Sequence, residues 1–274
     1  MNHYTYQPAK FYWLTLVLTW AIWFAAAYLS YQPEMEGIHI LFIVAGTFVP
    51  FVISLFMIYG SGNKDLKADF LNRLVSIKRI RLSYTPVIFL LMPASILLAT
   101  AISLLYGQSA TQFQFSELNV MGLVISILAP MTEELGWRGY GVDSLRAKFP
   151  LFKTSLLFAL LWSVWHVPLF FINGNYQNEL WHSGIPYVLN FFISLLPVAF
   201  ISNWLYYKNG RSVLAVALFH IIMVLSAELW RTVDSTKFVQ TGILVLVAVG
   251  IVLYDKAFFS ERSALNLDGV RRSA

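Results

Sequence analysis

Cysteine is absent from this chain of 274 residues, which excludes a disulfide framework, a thiolate nucleophile and Cys-ligated zinc. Charge is nearly as scarce. Only 12% of the residues are Asp, Glu, Lys or Arg, about half the roughly 25% of an ordinary soluble domain. So little charge cannot keep a protein surface in water, so a soluble enzyme, a disordered region and a nucleic-acid-binding domain are excluded. Internal repeats and low-complexity tracts are missing too, and no soluble appendage is visible beyond a short C-terminal tail. What remains is apolar: 58% of residues are hydrophobic and the mean hydropathy is +0.65. The net charge of +5 therefore bears on membrane orientation, not on nucleic acid.

A spanning helix needs about 20 mostly apolar residues. Eight runs qualify, at 11–29, 38–59, 87–106, 118–146, 154–172, 185–206, 212–228 and 238–255. The expected fold is all-α, a polytopic bundle of about eight transmembrane helices. The first run is longer than the apolar core of a signal peptide and only Lys10 precedes it, so it reads as a retained helix. The seventh is short, and the fourth is long and carries charges. Loop charges orient the bundle. On one side lie Lys10, six cations between 64 and 81, Arg146, Lys148, Lys153, Lys208, Arg211, Lys256, Arg262, Arg271 and Arg272. The opposite loops hold only Arg231 and Lys237. This split places both termini in the cytoplasm. Between Lys64 and Ile80, apolar residues recur at helical spacing opposite basic ones, which favours an interfacial helix on anionic headgroups over a connecting helix packed on the bundle.

Ionisable groups inside a bilayer are costly and mark function by default. The fourth run contains Glu133, Glu134 and Arg138, the fifth Trp162 and His166, and the seventh His220. At about 1.5 Å per residue, Glu133 and His166 each lie about 20 Å from their basic flanks and His220 about 14 Å from Arg211. Groups at similar depth on separate helices escape lipid by facing one another. Glu134 and Arg138, four residues apart, share a helix face in the favourable acid-first order, which suits a structural ion pair. Glu133 is rotated about 100° away, and a carboxylate there beside two imidazoles suits general-base activation of water. The bland readings are an interhelical hydrogen bond for either histidine and a structural network for the Glu-Glu-x-x-x-Arg segment. His182 reads as a surface residue and Glu228 as an interfacial charge.

This constellation resembles the CPBP family of intramembrane proteases, the CAAX protease and bacteriocin-processing or ABI family. Its pattern is Glu-Glu-x-x-x-Arg, then Phe-x-x-x-His, then His-x-x-x-Asn, on successive helices of an eight-helix bundle. Glu133, Glu134 and Arg138 match; Trp162 and His166 match with Trp for Phe; His220 matches, but Val224 stands where the family has Asn. The resemblance covers roughly residues 115–228. It divides the chain into three N-terminal helices (1–114, with the basic segment near 64–82), a core at 115–230, and a last helix and tail at 231–274. It implies an intramembrane endopeptidase of a bacterial cell membrane acting on a membrane-associated or lipidated peptide. In it Glu133 would activate water, His166 would orient that water, and His220 would stabilise the oxyanion, with Glu134, Arg138 and Trp162 in support. Zinc on Glu133, His166 and His220 is the competing use of the same residues, and the cofactor stays open. Other classes remain: a non-catalytic scaffold or regulator with a decayed site, favoured by Val224, or a transporter using the glutamate and histidines as a proton relay.

Overall fold

With no water in hydrocarbon to satisfy N–H and C=O groups, a spanning segment closes its hydrogen bonds within a helix. The computed structural model, which describes residues 4–35, 37–74, 76–115 and 118–262, follows that rule. Its helices are α1 (Pro8–Ser30), α2 (Ile38–Gly60), α3 (Lys64–Leu74), α4 (Thr85–Leu105), α5 (Val120–Gly136), α6 (Val142–Arg146), α7 (Leu151–His166), α8 (Tyr176–Ser183), α9 (Ile185–Lys208), α10 (Val213–Leu229), α11 (Asp234–Tyr254) and α12 (Lys256–Ser260). Seven of the helical stretches are long and apolar enough to cross a membrane, and α10 is a shorter apolar helix. The chain is a polytopic all-α membrane protein. A two-residue antiparallel pairing of Gln114–Phe115 with Trp230–Arg231 ties the loop before α5 to the end of α10. Arg271 and Arg272, counted in the charge asymmetry, lie outside the described residues.

Local chemistry sets the helix ends. The Asn119 side chain accepts from the Gly122 amide at 2.7 Å at the start of α5, and Ser212 accepts from the Ala215 amide at 3.1 Å at the start of α10. These caps satisfy donors that the first helical turn leaves open. The bundle is tight where side chains are small. A Cβ on Gly136 would fall 2.4 Å from the Pro50 carbonyl carbon, so α2 presses directly on the backbone at the end of α5. Close backbone approach through glycine is how helices associate where lipid competes for every apolar contact. α2 and α10 flank α5, while α9 packs between α7 and α11.

After Gly136 the backbone widens into a π-helical turn, Trp137–Gly141, before α6 resumes the normal ladder. Such turns are uncommon and cluster at functional sites. This one lies just beyond the two glutamates. α3 docks beside it. Leu66, Asp69, Phe70 and Arg73 are its buried face, and Leu71 points outward. One of the segment's basic residues, Arg73, is thus enclosed with its acidic neighbour. The helix ends at Leu74, and short 3-10 turns follow at Ile77–Arg79 and Leu82–Tyr84.

Candidate active site

The two adjacent glutamates lead different lives. Glu134 is buried and ion-paired: Arg138 Nη1 donates to its Oε1 at 2.9 Å and lies 2.8 Å from its Oε2, which has no hydrogen-bond partner among the described residues. Arg138 is itself held from α9, where Nη2 donates to Ser202 Oγ at 2.6 Å and Asn203 Oδ1 at 3.1 Å. Its guanidinium carbon lies 4.6 Å from the centre of the Phe158 ring. The structural pair read from the i,i+4 spacing is therefore present and is anchored from a second helix, α9. Unlike Glu134, Glu133 makes no salt bridge among the described residues. Its carboxylate accepts a long hydrogen bond, 3.4 Å, from the Trp162 indole N–H at Oε2.

Each histidine has one ring nitrogen tied down. His166, the last residue of α7, places Nδ1 2.7 Å from the Trp162 carbonyl oxygen. A carbonyl only accepts, so Nδ1 carries the proton and Nε2 keeps its lone pair. His220 Nδ1 lies 2.9 Å from Glu134 Oε1, which likewise turns Nε2 toward the site. A carboxylate on one imidazole nitrogen fixes the ring and the tautomer of the other. Neither Nε2 has a hydrogen-bond partner among the described residues.

Trp162 joins these groups. Its ring centre is 5.4 Å from that of His166 and 5.9 Å from that of His220, both edge-to-face, and it stacks on Phe158 at 5.7 Å. Glu133, His166 and His220 are thus all brought around one indole. Trp165 and Phe191 close the far side of His166 at 4.8 and 5.4 Å. A narrow crevice runs from Trp162 past Glu134, Arg138, Ser202 and His220 to Met223. Among the described residues no three His, Cys, Asp or Glu side chains gather as a metal ion's ligands do, the trio Glu133, His166 and His220 included. His182 lies exposed in α8, away from this group.

The sequence profile of the type II CAAX prenyl endopeptidase Rce1-like family matches residues 115–226, which hold every one of these side chains. Outside that segment the likeness continues. The chain is 44% identical over 268 residues to CAAX prenyl protease 2 of Methanococcus maripaludis, covering 96% of this chain and 99% of that protein. The chain belongs to the CAAX prenyl endopeptidase family. It is an intramembrane protease, and the CPBP resemblance read from its motifs holds.

Sequence reasoning missed several residues that build this protease's core. Ser202 and Asn203 sit mid-way along an apolar helix. Their polarity there was a signal, since buried polar groups in a membrane seek partners. Trp137 is buried and its indole N–H has no hydrogen-bond partner, yet it lies beside the Glu133 carboxylate. Its place between the glutamates and Arg138 was visible, but nothing local showed which way the ring turned. Ser194, also polar on α9, spends its hydroxyl on the Phe191 carbonyl of its own helix at 2.7 Å.

Proposed function

We propose that this protease hydrolyses an internal peptide bond of a prenylated CAAX peptide with a water activated by Glu133. The observation that carries the reading is the contrast between the paired Glu134 and the unpaired Glu133. A base must be free to take a proton, and a carboxylate clamped by arginine is not. Glu133 removes a proton from water as its oxygen attacks the scissile carbonyl. His166, with Nδ1–H committed to the Trp162 carbonyl, offers Nε2 as an acceptor for the water's second proton and so orients the attacking lone pair. His220, held through Nδ1 by Glu134 and behind it Arg138, presents Nε2 to the tetrahedral oxyanion. A proton on Nε2 makes it a charge-assisted donor there. The leaving amine then takes the proton held by Glu133. A mid-bundle site walled by aromatic rings suits a substrate delivered by its lipid, and membrane lipids are its other expected contact.

The test is purified protein in liposomes with a prenylated CAAX peptide, its products followed by mass spectrometry. Cleavage by the wild type, and none by Glu133→Gln of equal thermal stability, is the expected result. Turnover by Glu133→Gln at the wild-type rate overturns the assignment. The lone specific feature favouring a non-catalytic scaffold is Val224, and a wild type inert toward every prenylated peptide would adopt that reading.

We infer in addition that both termini and the α3 segment face the cytoplasm, with the outward side of α3 on anionic headgroups. The absence of native cysteine makes labelling clean. Single cysteines at Gly107 and Asn175 should react from outside and one at the exposed Gly210, next to the buried Asn209, from inside, and the reverse pattern overturns the orientation.

A further inference from the structure

The wall of the site contains a donor whose carboxylate partner is Glu133. Trp162 Nε1–H reaches Oε2 at 3.4 Å, and the same ring is fixed on three sides by Phe158, His166 and His220. Buried and packed in this way, the indole cannot turn its N–H elsewhere without breaking three ring contacts. On α10, residue 224 lies one turn beyond His220 on the same face and next to Met223, which lines the crevice, and a valine there has no donor to offer. We propose that Trp162 is a positioning residue: its indole N–H, supplied from α7, aims the Glu133 carboxylate and provides the hydrogen-bond donor that position 224 lacks on α10. A long neutral donor suits that task. It fixes where the carboxylate points without neutralising it, as the arginine does to Glu134. This rests on the reading of Glu133 as the base.

Trp162→Phe keeps an aromatic ring but loses the N–H together with the rest of the pyrrole ring, so replacement of Trp162 by 3-benzothienylalanine, which exchanges the N–H for sulfur at nearly the same shape, is run beside it and separates the donor from the packing. Loss of a partner that orients a reactive group typically lowers activity 10–100-fold. The expected result is a fall of that size in kcat for the prenylated peptide, with KM little changed. Val224→Asn should then raise kcat more in the Trp162→Phe background than in the wild type, because it returns a donor to a site that has lost one. Full kcat in Trp162→Phe, or equal gains from Val224→Asn in both backgrounds, overturns the proposal. A readout independent of turnover is the indole ¹H–¹⁵N resonance of Trp162 in lipid nanodiscs, assigned by its loss in Trp162→Phe. Glu133→Gln should move that resonance, and an unmoved resonance overturns the contact. A resonance that moves in a protein that cleaves nothing would leave the contact standing and sink the base reading alone.

Discussion

Two buried polar regions lie within a few turns of each other in this bundle, and they are built to opposite rules. Where α3 docks, Arg73 Nε pairs with Asp69 Oδ2 at 2.9 Å and its Nη1 with Asp143 Oδ2 at 3.1 Å. Arg211 grips both oxygens of Asp69 at 2.9 Å and also pairs with Asp143. Tyr206 and Tyr207 each donate to Asp143 at 2.9 Å. Two acids meet two bases, and among the described residues none of these four charged side chains has a buried polar atom without a partner. At the candidate site, Glu133 has one long donor, two Nε2 atoms are unpartnered, and Trp137 Nε1 is buried and unbonded. Satisfaction holds a fold, whereas spare valence leaves room for a substrate and a water.

The satisfied region serves the unsatisfied one. A π-turn leaves its carbonyls out of the ordinary ladder. Here Arg73 donates to the carbonyls of Arg138 and Gly139 at 2.8 and 3.1 Å, and the Tyr206 hydroxyl oxygen lies 2.9 Å from the carbonyl oxygen of Arg138. The network therefore pins the turn that carries Arg138 and, one residue before it, Trp137. It also holds Arg211 in the left-handed region, at φ 61°, a conformation costing about 1–3 kcal/mol for a residue with a side chain.

The contrast breaks most visibly at Glu133. Removing a general base costs about 10²–10⁴-fold in rate, while no partner charge is stranded, so Glu133→Ala should be inactive and melt like the wild type in detergent. Glu134→Ala comes next and should fail both ways. Arg138 loses its carboxylate, a loss of about 3–5 kcal/mol for a broken buried pair, and His220 loses the acceptor that sets its ring. Equal melting temperatures for the two variants would refute the division between base and structural partner. Asp143→Asn should cost about as much stability as Glu134→Ala, again about 3–5 kcal/mol, because Arg73 and Arg211 lose a shared counter-charge. Its kcat per folded molecule should fall far less than that of Glu133→Ala. A rate loss as deep as that of Glu133→Ala would mean the network acts in the chemistry, not only under it.

These regions were unequally legible from sequence. Long apolar runs and loop charges gave the bundle, since hydrocarbon leaves a chain little choice but helix. Glu134 and Arg138 were legible as a pair because four residues bring them to one face, and Glu133 as its opposite because one residue does not. The docking network was not. Arg73 and Arg211 belong by sequence to basic flanks, and only the fold reveals that they meet Asp69 and Asp143 inside it, partners as far as 142 residues apart. The π-turn was equally hidden, because helical periodicity assumes the very ladder it interrupts. Trp162 in place of phenylalanine passes for a conservative exchange of one ring for another. Its N–H, placed on Glu133, is what the exchange adds.

The smallest effect belongs to a third charge pair, which separates burial from satisfaction. Asp255, just past α11, accepts from Lys208 Nζ at 2.6 Å and from Trp204 Nε1 at 2.8 Å. Its partners are as good as those of Asp143, but about a fifth of each charged side chain stays exposed. If satisfaction alone mattered, Asp255→Asn would match Asp143→Asn. Solvent screening predicts about 0–1 kcal/mol instead. Partial burial pulls the Asp255 carboxyl upward, but the hydrogen bonds from Lys208 and Trp204 and the Lys208 charge outweigh it and hold it below the usual carboxylate range. A carboxyl depressed in the folded state contributes stability above its unfolded value, about pH 4, and loses it as pH falls through the lower folded value. The gap in melting temperature between wild type and Asp255→Asn should therefore be small and constant near neutrality and close below about pH 4. A gap as wide as that of Asp143→Asn would show that partners, not burial, make a charge pair indispensable in this bundle.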